Sequence, residues 1–402
     1  MRYALVAETY PPEINGVALT VHSLETGLRA HGHDVTLIRP RRAGETRPDP
    51  HQRLTPGLPL PWYPGLRFGL PAAGRLRREW MRHRPDAIYV ATEGPLGWSA
   101  LRAARALGIP AATGFHTRFD LYMRDYGMPL LQRPALAWMR HVHALGQATL
   151  VPTTELRDAL QALDFEGVVR LPRAVDCTLF HPSRRDPALR AAWGADDDAP
   201  VVLHVGRIAA EKNLELAVRA YRAIAEARPD ARFVWVGDGP EREALAAAHP
   251  DFVFCGVRRD QDLARHIASA DLFVFPSRSE TYGNVTLEAL ASGVPTVAFD
   301  YGAAHEHLRD GVHGAAIADR GNTTDADARF ISAARHIAED PDLRRRMRLL
   351  AREAVLGLSP AQVAADFDAI LQRLAHRGRR PDEGDAERNA EQHQPAPAPG
   401  CE

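Results

Sequence analysis

Strand-like apolar runs alternate with helical patterns from one end of this 402-residue chain to the other. That alternation narrows the fold more than any single motif does. Residues 3–8, 34–40, 87–92, 111–116 and 148–153 carry the strand pattern in the first half, and 201–207, 232–237, 252–256, 272–276 and 296–300 repeat it in the second. Helical periodicity fills the gaps, as in 214–227 and 264–269. Short apolar strands each followed by a helix predict parallel sheets covered on both faces. Two successive runs of the pattern predict an α/β protein of two doubly wound, Rossmann-like domains, each long enough to bury its own core.

The boundary falls in a proline-containing stretch with Pro172, Pro182, Pro187 and the acidic run Asp196, Asp197, Asp198. It divides the chain into 1–172 and 173–360. A helical pattern at 361–376 follows. The polar, proline-rich residues 377–402 cannot bury apolar surface and are expected to be disordered. In open α/β sheets, ligands bind beyond the carboxyl ends of the strands. The polar residues just after each strand are therefore the candidates for chemistry.

Composition removes several function classes. A formal net charge of -1 and the absence of a basic stripe argue against a nucleic-acid partner. No apolar run approaches the roughly 18–20 residues needed to span a bilayer. Met1, Arg2 and Tyr3 lead straight into a strand pattern with no apolar signal region, which points to the cytoplasm. Cys177, Cys255 and Cys401 form no close pair and no zinc spacing. Of 50 lysines and arginines, Lys212 is the sole lysine.

Two clusters follow strands in the second half. In His204-Val205-Gly206-Arg207 with Lys212, a planar fork and a point charge lie close together, a combination suited to a pyrophosphate. A solvated loop with a surface lysine would read the same way. In the segment 279–288, Gly283 permits close backbone approach. A helix opening near Asn284 and Val285 offers unbonded amides and a favourable dipole to a phosphate. Glu280 and Glu288 flank that helix start with seven residues between them. Carboxylates beside an anion site are at odds with it unless they accept hydrogen bonds from sugar hydroxyls: Glu288 from a ribose diol, Glu280 from a hexose. An exposed loop glutamate and a helix-face glutamate are the plainer alternatives.

With GR-x4-K at 206–212 and E-x7-E at 280–288, the chain resembles the retaining GT-B glycosyltransferases of family four. That family includes GDP-mannose-dependent α-mannosyltransferases and sulfoquinovosyltransferase-like enzymes. Further matching runs are PPEINGVALTV (11–21), RAVDCTLFHP (173–182), VGDGPERE (236–243) and GVPTVAFDYGAAHEHLRDGVHG (293–314). The resemblance implies two domains facing across a cleft, with 361–376 packing back on the first. It implies that Arg207 and Lys212 neutralise the donor pyrophosphate, that Glu280 holds the sugar and that Glu288 holds the ribose. Gly16 would bring backbone amides to the phosphate or acceptor, and His116 would lie against the donor sugar. The nucleotide base would sit near Val257 and Arg258, while His305 and His307 would border the donor site.

The resemblance further implies a same-face displacement with the cations standing in for a metal ion, so that no cofactor or metal is expected. GDP-mannose is the first expectation for the donor and a lipid or glycan for the acceptor. A UDP-sugar-dependent glucosyl or sulfoquinovosyl transferase, a sugar-nucleotide epimerase and a non-catalytic nucleotide-sugar-binding protein remain as alternatives. The proline-rich loop 56–71 and the basic segment 74–84, with Trp80 and Met81, read either as a contact with the inner face of an anionic membrane or as a loop packed on the domain followed by a solvated helix.

Overall fold

The structure, a computed structural model, describes residues 1–13, 15–42, 44–45, 49–59, 67–116, 130, 132–278, 282–319 and 321–378. Its first half contains β1 (Arg2–Val6), β2 (Asp34–Pro40), β3 (Gln52–Thr55), β4 (Gly57–Pro59), β5 (Arg67–Gly69), β6 (Ala87–Val90), β7 (Ala111–Gly114), β8 (Ala148–Val151) and β9 (Val168–Arg170). The second half contains β10 (Val201–Val205), β11 (Arg232–Val236), β12 (Val253–Gly256), β13 (Leu272–Phe275), β14 (Thr296–Phe299) and β15 (Gly314–Ile317).

Seven strands form one sheet in the order β3-β2-β1-β6-β7-β8-β9, and six form another in the order β12-β11-β10-β13-β14-β15. Every pairing within these two sheets is parallel. In each sheet the strand order reverses beside the first strand, between β1 and β6 and again between β10 and β13. These are the topological switch points where an α/β sheet opens a crevice. The architecture is that of two Rossmann-like domains.

Alternate residues of the central strands feed opposite cores, as a two-residue period requires. Val201, Leu203 and Val205 pack with Leu287, Leu290 and Phe273 on one face of the second sheet. Val202, Phe233 and Trp235 pack with Leu216, Ala220 and Phe330 on the other. In the first sheet Ala4 and Val6 meet Leu96 and Leu101, while Tyr3 and Leu5 meet Phe367 and Leu371.

Phe367 and Leu371 belong to the last described helix, Pro360–Arg377, which returns from the second half to cover the first sheet. Ser359 caps it by accepting from the Gln362 amide, and Pro360 occupies its first turn. The continuous stretch Pro341–Arg377 is long and apolar enough to cross a membrane by length and composition, which the apolar-run count did not anticipate. Val363, Phe367, Ile370, Leu371 and Leu374 are buried against the first sheet, so this apolar face is committed to the protein's own core. Full burial of Phe367 contributes about 2–3 kcal/mol.

The structure adds elements that the pattern did not reveal. β3, β9 and β15 are short, and β3 and β9 carry arginines (Arg53 and Arg170), so neither shows a clean apolar run. The stretch expected as a proline-rich loop contains an antiparallel pair, β4 with β5; its residues 60–66 lie outside the described set. In the helix Ala73–Arg82, Trp80 points into the core at 3% exposure and Met81 outward. Trp80 therefore leaves the surface on which a membrane contact was expected. The expected disordered tail lies outside the described residues from 379 onward.

Candidate active site

The two switch points face one another. A β-carbon added to Gly16, which opens the helix after β1, would lie 3.5 Å from Nδ2 of Asn284, which opens the helix after β13. The amino ends of the helices Gly16–Ala30 and Asn284–Ala291 therefore meet across the gap between the domains. Asn15 caps the first of them by accepting from the Ala18 amide at 2.9 Å. Among the described residues no side chain caps the second: its N-cap is Gly283, at φ +85°, a left-handed conformation that a side chain would strain. The amides of Asn284 and Val285 lie at this helix amino end, a geometry suited to an anion.

Arg207 and Lys212 come off the carboxyl end of β10, beside β13 in the sheet. Arg207 is exposed and pairs with Glu211 at 3.5 Å. Lys212 is half-buried at the end of a 3-10 turn. Asn213, left-handed at φ 55°, donates to the Pro276 carbonyl at 3.2 Å and ties this turn to the end of β13. The two sequence clusters thus flank a single crevice. His204 of the first cluster does not join them: it is fully buried against Trp235, and burial lowers its pKa to about 4.

Glu288 lies on the second turn of the helix Asn284–Ala291. It is half-buried, and burial alone pushes its carboxyl up to about 7. Among the described residues no side chain donates to it. Glu280 lies outside the described residues, so the E-x7-E pair is seen from Glu288 only. Val257 is 51% exposed beyond β12, the edge strand of the second sheet, and Arg258 beside it donates to the Cys255 carbonyl at 2.9 Å. His305 is exposed and paired with Asp300 at 3.0 Å, whereas His307 meets the Tyr282 hydroxyl at 3.1 Å.

His116 follows β7 in the first sheet and is 8% exposed. Nε2 lies 2.9 Å from the Tyr89 hydroxyl, and Nδ1 contacts the Arg173 guanidinium. Burial, then Arg173 and then His143 hold its pKa well below the usual histidine value, so the ring is neutral. The fit is tight, since a β-carbon at Gly114 would come within 2.2 Å of the Tyr89 hydroxyl and 2.5 Å of His116 Nε2. Arg173 and Tyr89 were not singled out from the sequence. Arg173 opens the RAVD run, and its type next to a proline was the one available signal; Tyr89 is hidden inside an apolar strand.

The domains touch at a second place. Glu306 accepts from the Thr154 amide at 2.5 Å and pairs with Arg170 at 2.8 Å, joining the helix Gly302–His307 to the first domain. The assembled crevice therefore brings together a helix amino end, two cations and a ring-walled far side between two linked domains.

Two family profiles match the chain, "Glycosyl transferases group 1" over residues 199–340 and "Glycosyltransferase Family 4" over residues 14–179. A GDP-mannose-dependent alpha-mannosyltransferase of Mycobacterium tuberculosis is 35% identical over 393 residues, covering 94% of this chain and 98% of that protein. A sulfoquinovosyl transferase of Arabidopsis thaliana is 33% identical, covering 60% of this chain and 48% of its own length. Among solved structures, a sucrose-phosphate synthase of Thermosynechococcus elongatus superposes with a TM-score of 0.73 at 19% identity, over 93% of this chain and 98% of that one. The fold is thus GT-B, and the chain belongs to the group 1, family 4 glycosyltransferases and is a hexosyltransferase.

Proposed function

We propose that this enzyme moves mannose from GDP-mannose to a lipid or glycan acceptor with retention of configuration and without a metal ion. The observation that carries this reading is the approach of Gly16 to Asn284, which sets two helix amino ends and the Arg207/Lys212 turn around one crevice. A nucleoside diphosphate suits that crevice. The preference for mannose leans on the mannosyltransferase relative, whose similarity runs almost the whole length of the chain.

In the proposed reaction the acceptor oxygen bonds to the anomeric carbon as the bond from that carbon to the diphosphate breaks. Both events occur on the same face of the sugar. The acceptor's proton passes to the leaving phosphate oxygen, and GDP departs. The protein contributes positioning and electrostatics. Arg207, Lys212 and the amides of Asn284 and Val285 stabilise charge growing on the leaving group, in place of a magnesium ion. Glu288 accepts from the ribose diol, Glu280 holds the sugar, Val257 borders the base and His116 walls the sugar end. We further place the enzyme in the cytoplasm, touching the inner face of the membrane; absence of binding to anionic liposomes at low salt would remove that contact.

A thermal-shift panel of GDP, UDP, ADP and their common sugars, run in EDTA, tests the donor assignment. The expected result is a rise in melting temperature with GDP and GDP-mannose. A shift with the UDP series alone would replace the donor, and a shift that appears only after adding magnesium would overturn metal independence.

A further inference from the structure

Arg173 sits where the chain leaves the first domain, three residues past the end of β9. Its guanidinium touches Nδ1 of His116. A guanidinium can only donate, so Nδ1 must accept and carry no proton. The ring's single proton is then on Nε2, from which it is donated to the Tyr89 hydroxyl at 2.9 Å. On its other side Arg173 lies against Tyr282, the residue before Gly283. Arg173 thus bridges the residue walling the first domain and the loop that opens the anion-binding helix.

A second observation bears on why a cation stands there. Among the described residues no carboxylate pairs with Arg173; its electrostatic neighbours are the hydroxyls of Tyr89 and Tyr282, and burial lowers its pKa. Burying a guanidinium is unfavourable for stability, so an apolar side chain would hold the junction better. The charged groups facing His116 are Arg173 and, more remotely, His143, which is itself occupied by Glu93 and Thr113. With Nδ1 facing a fixed cation, His116 has no means of accepting a proton during the reaction.

We propose that Arg173 is a positioning residue for the transfer step, holding His116 as the neutral Nε2–H tautomer at the sugar end of the cleft. The proposal rests on the reading of His116 as the wall of the sugar site. The role it assigns to His116 is that of a fixed, uncharged surface rather than a general base.

Histidine-labelled NMR of the full chain tests it, the His116 signal being identified by its loss in His116→Gln. The expected spectrum is that of an Nε2–H imidazole that does not titrate between about pH 5 and 8. In Arg173→Met the signal should titrate within that range. Its kcat should fall about a hundredfold, while KM for the donor changes by less than about threefold. Arg173→Lys, which restores a charged donor, should recover part of the loss.

An Nδ1–H or titrating His116 in the wild type would overturn the proposal, as would wild-type kcat in Arg173→Met or a Lys variant no better than Met. Should the Met variant not fold, the wild-type tautomer and the pH-rate profile of the Lys variant decide between the same outcomes. A wild type that transfers sugar from no nucleotide sugar would also overturn it, by removing the step it serves. That failure is distinguishable, because in the others the wild type turns over.

Discussion

Replacing Glu288 with glutamine should make the enzyme more stable and worse at binding its donor. Glu288 is partly open to solvent, yet burial alone lifts its carboxyl from an ordinary 4.5 to about 7. At about 1.36 kcal/mol per pH unit, that rise corresponds to about 3.4 kcal/mol against the ionised form; remaining solvent contact reduces it to roughly 2–3. The sign follows from proton counts. Between about pH 4.5 and 7 the folded chain keeps a proton that the unfolded chain has lost, so stability falls as pH rises through that window. Above about pH 7 both states are ionised and the full penalty applies. Glu288→Gln abolishes the titration, so its advantage over the wild type should be small at pH 5 and grow to roughly 2–3 kcal/mol by pH 8. Urea unfolding at both pH values measures this directly. Donor binding should move the other way, because hydrogen bonds to a charged acceptor contribute about 1.5–3 kcal/mol. Calorimetry should then show nucleotide affinity lower by about ten- to a hundredfold. No added stability at pH 8 would refute the burial argument, and added stability with unchanged nucleotide affinity would refute the ribose assignment.

Lys212→Ala should lower kcat by about 10²–10³ with an unchanged melting temperature, since the side chain is half-exposed and its proposed work is on the leaving group; normal turnover would remove Lys212 from the pyrophosphate site. Asp368 receives Nε2–H of His33 at 2.8 Å and the hydroxyl of Tyr3 at 3.0 Å. Burial acts to raise its pKa, but those bonds together with Gln372 outweigh it and hold the carboxyl below the usual range. Its stabilisation is therefore complete above about pH 4 and disappears as pH falls below that. Asp368→Asn should lower stability at pH 7 by about 1.5–3 kcal/mol and flatten the acid limb of the unfolding curve. It should leave KM untouched, because Tyr3 and His33 lie at the amino ends of β1 and β2, away from the cleft.

The repeated alternation of strand and helix was legible because central parallel strands are buried on both faces. Each therefore reads as an unbroken apolar run, as β1, β6 and β10 do. Edge strands escaped notice for the converse reason. β3 and β9 have one neighbour each, carry arginines and mix polar with apolar residues. At the crevice, Gly16, Arg207, Lys212, Gly283 and Glu288 could be found because each sits in the loop or first helical turns that follow a strand, where chemistry is expected. Arg173 could not be found that way. Its significance lies in what it touches, and its contacts with His116 and the Tyr282 loop join residues 57 or more positions apart. Trp80 erred in the opposite direction: beside five arginines in 74–84 it read as surface, and the helix turns it into the core.

The groups lining the crevice share one property. Glu288 is ionised only with difficulty, Arg173 has a charge without a carboxylate among the described residues, and the helix Asn284–Ala291 begins with no side-chain cap. Each is unfavourable in the free enzyme, and under the proposed function a nucleotide sugar would relieve two of them: hydroxyls for Glu288 and phosphate oxygens for the helix amides. Perturbed groups of this kind collect where a ligand completes the structure. They lie on both sides of the join, with Arg173 at the boundary and Gly16 facing Asn284, so a ligand that relieved them would contact both domains. On that reading the burial of Glu288 persists because the variant that relaxes it should gain stability while losing donor affinity.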